Sequence, residues 1–510
     1  MSLVGYLVSK HNFLKDTQTH LPHRMPMPAL PFRFTALFFC CTLAHAATDW
    51  RAAALQDMQF AIDKVKSSHA GAVSGERYVL AALETGARAG AIEAAQVVTE
   101  QDYKRAMVRF IDGFGDPHTG INVGLKVAGW TGIVLDRVDG AYRVTWSEPH
   151  WPHPLPPRGA VVQSCDGVWI GSWLKTSVAP LINHAIEYAT SASEAARQSM
   201  FASSLGWTPS ECGFILADGS QRHYVLPVRS VEDGIGVARM QQIDSLVHPA
   251  ARPVGLYPLG ARMQWVAMPD FDGRKSGAAY EALYEQLAAL KAPEWIVFDL
   301  RGNGGGDSSW GNRALQALYG KPYGARLEAA GSYAKRLVAD QATVDVFRRF
   351  ASLPQFAASK EDLEAAIPKL EGAIQRGEKM AEVEVGTLEK ATALASQLRQ
   401  RPDGPRIAAI IDRGCFSSCM NFVQQIRAIS DTVLLGEPTL GYSPYGEINQ
   451  FKLPSGHGTI RLPSAIYSAL QAPREPFIPD LPYPGDLADE AALMKWVAAS
   501  LKAQRAPRGR

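Results

Sequence analysis

The sequence predicts an α/β fold: a helical segment, then a β-rich middle, then a layered α/β core. Three observations carry this. Trp295-Ile-Val-Phe-Asp-Leu300 and Ile407-Ala-Ala-Ile-Ile411 are nearly unbroken apolar runs, as strands buried on both faces require. A third run, Thr432-Val-Leu-Leu435, and helix-forming stretches at 276–291 and 418–429 alternate with them, which is the order of a layered α/β domain. Before them, residues 125–230 break into short β-rich pieces separated by turns.

The elements follow in chain order. Residues 1–46 read as an export signal: Arg24 and Arg33, then the apolar Phe34–Leu43, then the small-x-small site Ala44-His45-Ala46. The apolar run is too short to span a bilayer. The expectation is an exported protein, periplasmic or extracellular. Residues 47–124 form a helical segment. Leu55, Met58, Ile62 and Val65 fall at helical spacing, and Gly86 and Gly90 mark an expected break between two further helices. The segment ends in the turn-rich Gly113-Phe-Gly-Asp-Pro-His118-Thr-Gly120. In the β-rich domain, 125–230, Asp218-Gly219 predicts a hairpin. The core occupies 231–510. It is interrupted at about 320–403 by an insertion rich in Ala, Glu, Lys, Arg and Leu, expected to be mostly helical and to serve either as a lid or as a solvated decoration.

Composition excludes several classes. A chain of 510 residues is too long for one hydrophobic core. With 46% apolar and 20% charged residues it is neither disordered nor fibrous. A net charge of +2 without a basic run leaves no nucleic-acid footprint. Beyond residue 46 the cysteines are Cys165, Cys212, Cys415 and Cys419. In an exported protein Cys165 and Cys212 could staple one domain; Cys415 and Cys419 could pair or be small buried residues. No His or second Cys pair stands at metal-ligand spacing.

Three features carry chemistry. Asp299-Leu-Arg-Gly-Asn-Gly-Gly-Gly306 ends a buried strand, and its glycines let backbone N–H groups approach a ligand. Such a loop could serve an oxyanion or a phosphate, but it lacks the P-loop ending and the dinucleotide spacing. Asp412-Arg-Gly-Cys-Phe-Ser417-Ser-Cys-Met420 joins a strand to a helix and exposes Ser417 at the helix's positive end; Ser there is also a common N-cap. His118 is the third, one of twelve histidines.

Together "DLRGNGGG", "DRGCFSSC", "LLGEPTLGY" and "GDPHTG" make the chain similar to the C-terminal-processing (tail-specific) serine peptidase superfamily. That resemblance implies a crotonase-like α/β spiral core. The pattern "AVVQSCDG … FILADG … YVLPV" resembles a PDZ-like domain, with an unrelated small β domain as the alternative. The Ser–Lys design of the superfamily needs a Lys where this chain has Tyr442. The chain is closer to the tricorn core and chlamydial protease-like activity factor type. That implies Ser417 as nucleophile, His118 as base and Glu475 as orienting carboxylate, with Asp116 as the competing orienter. Ser418 is the adjacent alternative nucleophile. The backbone N–H groups of Gly305 and Ser418 are the implied oxyanion donors, and Arg301 and Asn303 the supports of the glycine loop. The implied partner is a protein or peptide substrate, cut through an acyl-enzyme without a metal or organic cofactor. A catalytically inactive binding protein on the same scaffold is the alternative, kept open by the missing Lys.

Overall fold

The apolar runs come together in one sheet, in the order Gly255–Pro258, Met263–Ala267, Trp295–Asp299, Arg406–Ile411, Val433–Gly436, Leu481–Pro482. All neighbours run parallel except the first pair. The computed structural model describes residues 48–182, 188–203, 205–230, 251–398, 404–441, 443–469 and 475–504; the signal-like residues 1–46 and Tyr442 lie outside them. Alternate residues of the central strands point to opposite faces. Ile296, Phe298, Ile407 and Ala409 meet Leu283, Leu315, Phe422 and Ile426 of the helices Gly273–Ala288, Ser309–Tyr319 and Ser418–Arg427. Trp295, Val297, Ala408 and Ile410 meet Leu493, Val497 and Leu501 of the helix Glu490–Ala503. Both faces are thus covered, and this is why these runs carry no polar alternation.

Register decides what stands at the end of this sheet. Asp299 pairs with Ile410, so the two central strands stop level. The glycine loop after Asp299 and the turn after Ile411 therefore leave the same carboxyl edge side by side, where open α/β sheets bind ligands.

A second, antiparallel sheet seats the His118 loop. Gly120–Asn122 pairs with Thr459–Arg461 of the strand Thr459–Ala469, which pairs in turn with Tyr445–Lys452 and Ser332–Val338. Met380–Glu384 completes it beside Ser332–Val338. The insertion is accordingly less uniform than its composition predicts. It holds the helices Lys321–Gly331, Gln341–Ala351, Lys360–Gln375 and Leu388–Leu398, but it also gives two strands to this sheet. Alanine and glutamate content predicts helix; the open edge of Thr459–Ala469 decides that Ser332–Val338 pairs instead.

The β-rich region forms its own sheet, ordered Ile133–Val138, Ala141–Ser147, Val161–Cys165, Glu211–Ile215, Gln221–Val225, with the last two joined as the expected hairpin. Cys165 faces Cys212 across paired strands and the two are disulfide-bonded. The predicted break at Gly86 and Gly90 is absent: Arg77–Gln96 is one helix. A Cβ on Gly90 would stand 2.6 Å from Met58 Sδ, and one on Gly86 2.8 Å from Phe110 O. Close packing against neighbouring helices, rather than a turn, is what these glycines permit. Leu55 is exposed, whereas Met58, Ile62 and Val65 are buried. No helix among the described residues is long and apolar enough to cross a membrane.

Candidate active site

The turn after Ile411 holds Ser417 at φ 56° and ψ −124°, a conformation non-glycine residues rarely adopt. Three contacts hold it there. Cys415 and Cys419 are disulfide-bonded across it. Phe416 N–H donates to Asn303 O at 3.0 Å. Gly305 lies so close that an added Cβ would meet Phe416 O at 2.7 Å and Ser418 N at 2.9 Å. Only glycine fits at 305, which also has φ 92°. The half-buried Asp412 carboxyl ties the two loops together, accepting from Gly302 N at 2.9 Å, Gly414 N at 2.9 Å and Cys415 N at 3.1 Å. Burial, then the neighbouring Glu437 charge, pushes it up to about 6. Arg301 clamps Asp299 at 2.7 and 2.8 Å and reaches Leu487 O, while Asn303 Nδ2 donates to Met268 O at 2.8 Å. Both side chains brace the glycine loop.

His118 comes from the opposite side, carried by the strand Gly120–Asn122 and flanked by the Phe416 ring 4.7 Å away. Its Nε2 lies 3.1 Å from Ser417 Oγ and its Nδ1 3.1 Å from Ser443 Oγ. Ser443 Oγ donates to Asp116 Oδ1 at 2.7 Å, and Asp116 Oδ1 is itself 3.5 Å from His118 Nδ1. The bond directions follow from the carboxylate, which only accepts. Ser443 gives its proton to Asp116, so its oxygen accepts from Nδ1–H. Nε2 is then the unprotonated nitrogen facing Ser417.

The Asp116 carboxyl is fully committed. Its other oxygen accepts from Thr119 Oγ1 at 3.0 Å, and Thr119 Oγ1 is 3.0 Å from His69 Nε2. His69 Nδ1 accepts from Gly71 N at 3.0 Å, so its proton sits on Nε2 and points along the chain to Asp116. Burial lowers His69 to about 4, against the pull of Asp116, and it stays neutral near pH 7. For Asp116 burial alone would raise the pKa. The hydrogen bond and charge of His118, with the Ser443 hydroxyl, overcome it and bring the group down to about 2.

The remaining expected residues separate. Ser418 Oγ donates to Gly306 O at 2.6 Å, turned from the His118 side on which Ser417 stands. Gly305 N–H donates to Asn303 Oδ1 at 2.9 Å, while Ser418 N–H is the first of its helix and has no intrahelical acceptor. Glu475 is exposed, and the ring-nitrogen partners of His118 among the described residues are Ser417, Ser443 and Asp116. Sequence reading missed Ser443, Thr119 and His69. Ser443 carries no motif signal. Thr119 stands inside "GDPHTG", a hydroxyl one position after His118, and that adjacency is its signal.

One charged cluster links this turn to the β-rich region. Arg413 donates to Asp136 at 3.0 and 3.2 Å and to Glu437 at 2.7 and 2.8 Å; Arg197 donates to Asp136 at 2.7 and 3.1 Å. Burial opposes the Asp136 charge, but the two guanidiniums hold its carboxyl far below the usual range. Asp136→Ala removes the carboxylate that Arg197 and Arg413 share, so it is expected to cost about 3 kcal/mol of stability. Urea unfolding checks this; an unchanged midpoint would mean the cluster contributes nothing net.

Comparison with known proteins adds the family. Residues 263–472 match the model of peptidase family S41; this stretch contains the glycine loop and Ser417 and leaves out His118. Comparison with curated proteins finds no match. The fold is that of mature CPAF: its crystal structure aligns with a TM-score of 0.63 at 12% identity, covering 90% of this chain and 99% of that one. The structure of mature CPAF complexed with lactacystin aligns at 0.62 and 12%, covering 89% and 99%. Residues 263–472 are thus similar to peptidase family S41, in a chain whose α/β fold is that of CPAF.

Proposed function

We propose that the chain is an exported endopeptidase that cuts extended peptide segments through an acyl-enzyme on Ser417. The observation that carries this is the 3.1 Å approach of His118 Nε2 to Ser417 Oγ, with Nε2 in the accepting state. His118 takes the hydroxyl proton as Oγ attacks the scissile carbonyl carbon, and the same proton passes to the leaving amine as the C–N bond breaks. Water then attacks the ester carbonyl and gives a proton to His118, which returns it to Ser417 Oγ as the C–O bond breaks and the acid leaves. The imidazolium formed in each step is stabilised by Asp116 through Ser443, whose hydroxyl links that carboxylate to Nδ1. Ser418 N–H faces the developing oxyanion at the helix's positive end; Gly305 N–H joins it by exchanging its Asn303 acceptor. The β-rich domain, read as PDZ-like, would capture a substrate strand by β-addition. The signal-like residues 1–46 and two disulfides support export to an oxidising compartment.

The test is fluorophosphonate labelling of the purified protein, with the adduct located by mass spectrometry. Labelling of Ser417 that disappears in His118→Ala is expected. A folded protein that stays unlabelled would overturn the peptidase mechanism in favour of a binding protein.

A further inference from the structure

Beside Ser417 opens a cavity of about 390 Å³ whose other walls come largely from the insertion. Among the described residues its lining holds five carboxylates, Asp307, Glu328, Asp362, Glu384 and Glu447, against two cations, Lys335 and Lys369. Both cations are engaged: Lys335 Nζ donates to Glu447 at 2.7 Å and Lys369 Nζ to Val383 O at 2.6 Å. The other carboxylates crowd one another. Burial, then the charges of Asp362 and Glu384, pushes Glu328 up to about 7.

An independent observation says what is missing. Asp307 is 8% exposed and Gln425 4%, and both line the cavity. Asp307 Oδ2 and Gln425 Oε1 are buried without a hydrogen-bond partner among the described residues. Buried polar atoms are almost always paired, and these two can only accept. Asp307 is not free to turn away, because its Oδ1 holds Ser309 N at 2.9 Å and Ser359 Oγ at 2.7 Å. The cavity therefore offers fixed acceptors and negative charge to a donor with a positive charge. It also offers an apolar wall, Phe347 with Phe350 and Phe356 stacked 4.6 Å apart, along which a methylene stem can lie.

We infer that this cavity binds a lysine or arginine side chain of the substrate beside the bond cut at Ser417. The inference rests on the peptidase reading above and adds its substrate class, peptides with a basic residue next to the scissile bond. A leucine would fill similar space and leave Asp307 Oδ2 and Gln425 Oε1 unmet.

The experiment is digestion of a mixed peptide library by the full purified chain, with cleavage sites mapped by mass spectrometry and Ser417 labelling run in parallel. Lys and Arg are expected to be enriched at a position adjoining the cut. Asp307→Asn, and separately Glu328→Gln should the first not fold, are expected to lower kcat/KM for the basic peptides ~30-fold while sparing the same peptides with leucine there. Labelling of Ser417 in these variants verifies an intact site. Cleavage without basic enrichment, or equal loss on basic and leucine peptides, would overturn the inference and leave the peptidase reading standing. Absence of both cleavage and labelling in the unaltered chain would overturn that reading, and the inference with it.

Discussion

Ser417→Ala is expected to lower kcat by on the order of 10⁶-fold with the fold intact. The size follows from geometry. Ser417 Oγ is the hydroxyl within 3.1 Å of His118 Nε2, and the neighbouring Ser418 hydroxyl is already donated to Gly306 O. No adjacent serine can take over without breaking that bond and reversing its direction. The alanine variant keeps the positive φ of 56° and therefore the strain, which for such conformations is of order 1–3 kcal/mol. Ser417→Gly removes it and is expected to be about 1 kcal/mol more stable than Ser417→Ala. Peptide hydrolysis and thermal unfolding of the two variants separate the claims. Turnover near that of the unaltered protein in Ser417→Ala would remove this residue from the chemistry; equal stability of the two would mean the turn is unstrained.

The second large effect is at Asp116. Asp116→Asn is expected to lower kcat by about 10³–10⁴-fold, because an amide in place of the carboxylate can donate to Ser443 and reverse the tautomer of His118. It should also cost stability in a pH-dependent way. A carboxyl held at about 2, below its ordinary 3.8, contributes about 2 kcal/mol. The sign is that of a depressed acid: the contribution is complete above pH 4 and is lost as pH falls through about 2. Unfolding free energies of the two proteins between pH 2 and 6 should therefore converge toward the acid end. A constant gap would mean the loss is one of packing. Glu475→Gln, by contrast, is expected to leave most activity; a loss as large as that of Asp116→Asn would restore Glu475 as the orienting group.

The strands of the core were legible because burial on both faces leaves only one composition, and Trp295–Asp299 and Arg406–Ile411 display it. The glycine loop was legible because Gly305 admits no side chain. What could not be read is the route of His118 to Ser417. It depends on a three-residue strand, Gly120–Asn122, which has no periodicity to detect. The same holds for the two strands of the insertion, whose local composition favours helix and whose pairing is decided by a hairpin far along the chain. Ser443 and His69 are ordinary residues locally; their place in the hydrogen-bond chain to Asp116 exists only once the second sheet has formed.

That second sheet also sets when the molecule becomes capable of chemistry. Gly120–Asn122 waits for Thr459–Arg461, and His118 for Ser443, made 325 residues later. Synthesis runs from the amino end, and domains fold as they emerge. The residues of the N-terminal helices and of the β-rich unit have all been made while the ribosome has yet to make the strand on which His118 is seated. A chain that stops short of residue 443 carries a serine with no oriented base beside it. The order of the sequence alone thus keeps His118, the neighbour of Ser417, without its partner Ser443 until nearly the whole chain has been made.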